Sequence, residues 1–489
     1  MPGRPFDRRQ FLQMLASMGV AVYLPGCTGE TKPDSSGKDS SAEGLDYDVI
    51  VLGGGVAGLS AAWELAQKGY SVVVLEAQQR VGGRVQSKSD GFEGGQYIEV
   101  GAARIPDVHE HTLEYVEKLG LELHEIESGD PLYYLKGNRF MHTEGMAWPL
   151  DLTEEEQAEG LGMWGSYIAG AFEDFGNPRD GTFPKADAFT TWDPVPYTDF
   201  VRARGASEDW ILLYTADNGS EISKIGTLAW MAAEVADQNW DKTYKVKGGN
   251  DQIPKGIAAE LGDAVWLGSV VKKIATADDR VTITVEVAGV SQELTASRCI
   301  CALPFTILRD IEITPALAED KTRCINELFM MGSSRGFFQT KTRFWKDEGI
   351  GGLKIAKTDT AAERLWDLSI GQDGENGMFM VYTQHENAIA LAAVPEGDRQ
   401  EHLLGLVEDF FPQIRDELVH FDQKIWADDP YVKGAWADIL PDQGWMFTVV
   451  GRAEGRIHFC GEHTSIWAGW MQGAIESAKR AVAEVVAAG

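Results

Sequence analysis

The chain has 489 residues, enough for two to four lobes at roughly 150 residues each, with 44% hydrophobic and 24% charged residues, the balance of a soluble globular protein. Lys+Arg 44 against Asp+Glu 75 gives a net charge of −31, which disfavours nucleic acid and anionic lipid as partners, and no apolar run approaches the ~18 residues of a spanning helix. The five cysteines (Cys27, Cys299, Cys301, Cys324, Cys460) form no CxxC pair and no metal-ligand spacing, so a disulfide scaffold and a zinc protein are excluded and no metal site is expected.

Arg8-Arg9-Gln10-Phe11-Leu12 precedes a short, mostly apolar or small stretch, Leu15 to Leu24, that ends at Pro25-Gly26-Cys27. A charged start, a short apolar core and a small-residue cleavage site make residues 1–27 an export signal rather than a membrane span. The paired arginines resemble a twin-arginine signal, and Leu24-Pro25-Gly26-Cys27 resembles a lipoprotein box, implying a lipid anchor on Cys27 and a periplasmic or outer-side location. Residues 28–45 are small and polar without periodicity, the composition of a flexible spacer.

Tyr47-Asp48-Val49-Ile50-Val51-Leu52 reads as a buried parallel strand and runs straight into Gly53-Gly54-Gly55-Val56-Ala57-Gly58. Helical spacing follows from Leu59 to Lys68, then a second strand, Ser71 to Leu75, ending at Glu76. In this strand, GxGxxG, helix, strand, acid order, Gly53 permits the turn, Gly55 lets backbone N–H groups approach a pyrophosphate, and Gly58 lets helix and strand close-pack. The helix N-terminus offers free N–H donors to the phosphates, and Glu76 accepts from ribose while repelling a 2′-phosphate. NADP is therefore disfavoured, while NAD and FAD stay open at this point.

Arg80-Val81-Gly82-Gly83-Arg84 resembles the second signature of the flavin amine oxidase superfamily and selects FAD. A guanidinium such as Arg84 beside a Gly-Gly backbone suits a pyrophosphate. Further segments resemble this superfamily from about Tyr47 to the end of the chain: Lys247-Gly248-Gly249-Asn250 before a helix, Val271 at the adenine position, and Cys301-Ala302-Leu303-Pro304 at a crossover. The C-terminal Gly461-Glu462-His463-Thr464 and Gly469-Trp470-Met471-Gln472-Gly473 match most strongly. The resemblance implies that Glu462 holds the ribityl chain and that Trp470 and Met471 open a helix facing the isoalloxazine, with Ala77 and the Gly101-Ala102-Ala103-Arg104 stretch also at the cofactor. It also implies non-covalent FAD, because Ala435 stands before Trp436 where the monoamine oxidases carry a cysteine.

Val100-Gly101-Ala102-Ala103-Arg104-Ile105-Pro106 resembles the L-amino acid oxidase branch, in which the arginine clamps the α-carboxylate of the substrate. The same likeness gives Tyr382 a second contact to that carboxylate, makes Trp436 and Trp470 an aromatic cage, and puts Arg335 where most members hold a lysine near flavin N5. That last departure leaves a dehydrogenase with an acceptor other than oxygen as an alternative. The implied architecture is α/β: a Rossmann-like FAD-binding domain (46–110, 241–305, 451–489), a β-sheet substrate domain (111–240, 306–450) and a helical subdomain, with helices over Thr153 to Glu173 and Ile225 to Ala236. The implied reaction oxidises L-α-amino acids, with large apolar, aromatic or broadly varied side chains, to 2-oxo acids, ammonia and hydrogen peroxide, with molecular oxygen as co-substrate and a homodimer as the assembly. Amine or polyamine oxidase, amino-acid 2-monooxygenase and a flavin-carrying electron-transfer or binding protein are the rival readings.

Overall fold

A computed structural model describes residues 44–489 apart from Glu144, Asp180, Gln238 and Asn239; the expected export signal, Cys27 and nearly all of the expected spacer lie outside the described residues. In the strand Tyr47–Leu52, Val49 to Leu52 are apolar and buried because both faces are covered there. Val49 and Val51 pack against the helices Val56–Gln67 and Met471–Ala487, while Ile50 and Leu52 pack against Ile283, Val285 and Phe305 on the opposite face. Parallel strands lie in the spatial order Val265–Trp266, Val72–Leu75, Tyr47–Leu52, Val290–Cys301, Ile457–Phe459. Pieces distant in sequence thus close one sheet.

The long strand Val290–Cys301 joins two sheet regions. Its C-terminal part pairs with Tyr47–Leu52, and its N-terminal part pairs antiparallel with Val281–Val287, itself beside Ser269–Thr276. Val281–Val287 alternates buried and half-buried residues without exception, as its sequence pattern predicts. Cys299 and Cys301 fall on the same face, and all four described cysteines are buried and free.

A second sheet has the order Leu418–Ile425, Ser333–Thr340, Gly377–Gln384, Arg364–Asp367, Lys354–Thr358, Leu132–Leu135, Asn138–Met141. Its central strands Ser333–Thr340 and Gly377–Gln384 are buried at every residue. Phe338, Phe379 and Val381 pack on one face with Phe410 and Phe411. Phe337, Met380, Tyr382 and Trp366 pack on the other, toward Phe92, Ile98 and Val100. That second face carries the site.

The helical region departs from the single helix expected over Thr153 to Glu173. It forms Glu154–Glu159, a 3-10 turn at Gly160–Gly162, Met163–Ile168 and Ala171–Phe175. Gly160 and Gly170 adopt φ of +54° and +73°, left-handed backbone that separates the three α-helical pieces. Thr227–Ala236 is continuous and packs its Leu228 and Met231 against Tyr197, Phe200 and Trp210.

Candidate active site

The glycine-rich turn forms one end of a groove of about 320 Å³. Gly53 takes φ +100°, and a Cβ on Gly58 would overlap the Gly53 carbonyl oxygen, so both positions require glycine. At Gly55 an added Cβ would meet no protein atom within 4 Å, because that position opens on the groove. Gly55 caps the helix Val56–Gln67 without a side-chain hydrogen bond, and Trp470 caps Met471–Ala487 in the same way. Two helix ends with free N–H groups and positive dipole ends therefore converge on one groove, which fits the pyrophosphate and the electron-rich ring of a flavin dinucleotide.

Glu76 sits at the end of its strand, where Oε2 accepts from Gly54 N–H and Oε1 from Gln78 N–H, both at 2.7 Å. Burial raises its pKa against those two hydrogen bonds. Arg84 forms an ion pair with Glu462 and donates to the Ala435 carbonyl at 2.9 Å. Glu462 also accepts from Gly469 N–H at 2.8 Å. Burial pushes the Glu462 pKa up, but Arg84 and the Gly469 N–H outweigh it, so the carboxylate stays ionised. Gly53, Gly55, Ala57, Glu76, Ala77, Arg84, Gly101, Ala102, Val271, Gly461, Glu462, Gly469, Trp470 and Met471 all line this groove. Gly58 packs behind it, and Ala103 and Arg104 line the neighbouring cavity instead.

That cavity, about 780 Å³, meets the groove at Gly101, Ala102, Arg335, Tyr382, Trp436, Gly469 and Trp470. Arg104 is half-buried, and its guanidinium carbon lies 4.5 Å from the Trp366 ring centroid, 5.0 Å from Trp470 and 5.7 Å from Trp240. Among the described residues it has neither an ion pair nor a hydrogen-bond acceptor. Burial, reinforced by Arg364 and Arg335 and opposed by Tyr382 and Asp217, brings its pKa down to about 10, so it remains a cation at neutral pH.

Tyr382 forms one rung with two arginines, since Arg335 and Arg364 are its direct neighbours on the flanking antiparallel strands. Their guanidinium carbons lie 4.5 and 5.0 Å from its ring, and Trp366 meets it edge-on at 4.9 Å. Trp436 is 6.4 Å away on the side of the groove. Arg335 Nη1 donates to the carbonyls of Val100 (3.0 Å) and Gly101, tying the sheet to the segment that carries Arg104.

Sequence reasoning missed several lining residues. Arg364 donates to Asn218 O and Gln384 Oε1, while Asp217 is held ionised between Lys354 and Lys357 at 2.9 and 2.7 Å. The helix Thr227–Ala236 and the residue after it bring Trp230, Ala233, Glu234 and Asp237 to the cavity at spacings i, i+3, i+4 and i+7, one face of a helix. That stripe was legible in the sequence. Glu234 is pushed up to about 8 by burial and then by Asp237. His463 lines the cavity with both ring nitrogens unbonded, and burial holds it neutral, with its pKa down to about 4. Glu221 and Asp438 also face the cavity.

The chain is 29% identical over 469 residues to the flavin-dependent L-tryptophan oxidase RebO of Lentzea aerocolonigenes, covering 90% of this chain and 98% of that protein. It is 27% identical over 477 residues to the flavin-containing amine oxidase A of Bos taurus, covering 91% and 86%. Cyclohexylamine oxidase from Brevibacterium oxydans shares the fold with a TM-score of 0.77 at 23% identity, covering 91% of this chain and 99% of that one. The profile of flavin containing amine oxidoreductases matches residues 56–486. Together with the two converging helix ends, this match identifies the chain as an FAD-dependent member of the flavin-containing amine oxidoreductase family.

Proposed function

We propose that the protein is an L-amino acid oxidase, producing 2-oxo acids, ammonia and hydrogen peroxide from L-α-amino acids. Arg104 carries this reading: a cation enclosed by three tryptophans, without an acidic partner among the described residues, beside the cofactor groove. Leaving a buried charge unpaired is costly, and a planar carboxylate is the partner that its fork of donors fits. Simple amines lack that group. The L-tryptophan oxidase among the relatives supports the same choice.

When bound, the flavin supplies a two-electron acceptor for the substrate Cα–H. Arg104 takes the α-carboxylate, with Tyr382 beside it, and so fixes how the Cα–H is presented. Trp436 and Trp470 flank the junction and keep water from it. Arg335, bonded to carbonyls at 100 and 101, positions the Arg104 segment. No dedicated base is assigned, and orientation carries the rate. With Ala435 before Trp436, the FAD is held non-covalently. The export signal places the enzyme outside the cytoplasm, with Cys27 as its lipid anchor, and the homodimer is its assembly.

The test is anaerobic exposure of the FAD-loaded protein to each of the twenty amino acids and to simple amines. Bleaching of the yellow colour by amino acids supports the proposal; bleaching by amines alone refutes it. Release of an amide and CO2 once air is admitted would assign a monooxygenase instead. Arg335 gives a second reading a footing, because its Nη1 is engaged by backbone carbonyls where the family's lysine holds a water. Admitting air decides that point: peroxide marks an oxidase, and persistent bleaching marks a dehydrogenase with another acceptor.

A further inference from the structure

The tryptophan-lined cavity has polar groups that the carboxylate clamp does not use. Glu221 and Asp438 line it at 8% and 7% exposure, and neither Glu221 Oε2 nor Asp438 Oδ2 has a hydrogen-bond donor among the described residues. Arg364 lies within electrostatic reach of Glu221, yet it donates to Asn218 O and Gln384 Oε1 and forms no ion pair among the described residues. Burial raises both acids well above the usual carboxylate range, and each is raised further by a neighbouring acid, Asp438 for Glu221 and Glu462 for Asp438. Burial therefore disfavours the charged form of both. A cation set against the pair would let both ionise and would satisfy oxygens that the protein leaves unbonded.

The placement limits which cation fits. Asp438 follows Trp436 by two residues on the strand Trp436–Asp438, so the two side chains share a face roughly 7 Å apart along the strand. Trp436 lines the junction with the cofactor groove, where the carbon to be oxidised must lie. Asp438 therefore stands beside that junction, and Glu221 lies within electrostatic reach of Asp438. Tyr214, Ile225 and Trp230 wall the same cavity, offering apolar and aromatic surface to a methylene stem.

Resting on the amino-acid reading above, we propose that this cavity selects L-α-amino acids with a positively charged side-chain end, the lysine and arginine class, Glu221 and Asp438 receiving that charge. This narrows the apolar, aromatic or broad preference expected from the tryptophans.

The experiment uses the FAD-loaded full chain with L-lysine, its uncharged analogue L-norleucine, and 1,5-diaminopentane, which is lysine without its carboxylate. The expected kcat/KM for L-lysine exceeds that for L-norleucine at least tenfold, and Glu221→Gln or Asp438→Asn brings the ratio close to one. A wild-type preference for norleucine, or a folded variant that keeps the tenfold ratio, overturns the assignment while leaving the amino-acid reading intact. Oxidation of diaminopentane but of no amino acid overturns both. Should a variant fail to bind FAD, the wild-type ratio alone decides.

Discussion

Arg335 and Tyr382 stand opposite each other on adjacent antiparallel strands, the guanidinium carbon 4.5 Å from the centre of the phenol ring. Arg364 approaches the same ring from the next strand at 5.0 Å, so two cations share one aromatic surface. The pairing holds the ring in place and leaves the hydroxyl without a hydrogen-bond partner among the described residues. Tyr382→Phe keeps the ring and removes the hydroxyl. The expected result is a several-fold rise in KM for amino acids, corresponding to about 1 kcal/mol, with the melting temperature nearly unchanged. A large fall in melting temperature would show instead that the hydroxyl is structural.

On the proposed amino-acid reading, Arg104→Ala removes two charge-assisted hydrogen bonds to the substrate carboxylate. The expected loss in kcat/KM for amino acids is on the order of 100-fold or more, with little change for decarboxylated amines. Arg104→Lys restores the charge without the fork and should fall between the two. Steady-state kinetics on matched amino acid and amine pairs measures the difference. Equal losses on both would contradict a carboxylate clamp.

Two neighbouring glycines should fail in different ways. A methyl group on Gly58 collides with the Gly53 carbonyl, so Gly58→Ala destabilises the fold itself, by about 2 kcal/mol or more. At Gly55 the backbone is extended, with φ −72° and ψ 176°, and the added methyl points into free space. Gly55→Ala should melt like the parent protein without cofactor and lose FAD affinity. Thermal denaturation and flavin content separate the two outcomes.

Glu234 gives a pH signature. Its carboxyl titrates near 8 in the folded protein against 4.5 ordinarily, so between those values the folded chain holds a proton that the unfolded chain has released. Stability from this group is complete below about 4.5 and is lost as pH rises toward 8. Glu234→Gln should flatten the decline in melting temperature between pH 5 and pH 8 by several degrees. An unchanged slope would mean that Glu234 is already ionised in the native state.

Acid precipitation of the loaded protein should leave the flavin in the supernatant, since Ala435 supplies no thiol beside Trp436. Yellow pellet protein would contradict non-covalent binding.

The dinucleotide half of the molecule was legible because its logic is local. Gly53, Gly55, Gly58 and Glu76 lie within one strand-helix-strand unit, and each is explained by its own backbone or its next neighbour. Arg104 was singled out because its Gly-Ala-Ala-Arg-Ile-Pro segment resembles that of the L-amino acid oxidase branch. Arg364, Glu221 and Asp438 could not be singled out. They meet from the strand Arg364–Asp367, the turn Ser220–Ser223 and the strand Trp436–Asp438, and only tertiary register brings these together. The helix expected across Thr153 to Glu173 failed for a local reason instead: its apolar spacing outweighed Gly160 and Gly170, which interrupt it.

An arginine without a counter-ion among the described residues has a consequence at the bench. Small carboxylates such as acetate or benzoate suit the guanidinium of Arg104, so a preparation kept in them should show substrate competition that disappears on exchange into a non-carboxylate buffer. Comparisons between laboratories will need that choice of storage medium held constant.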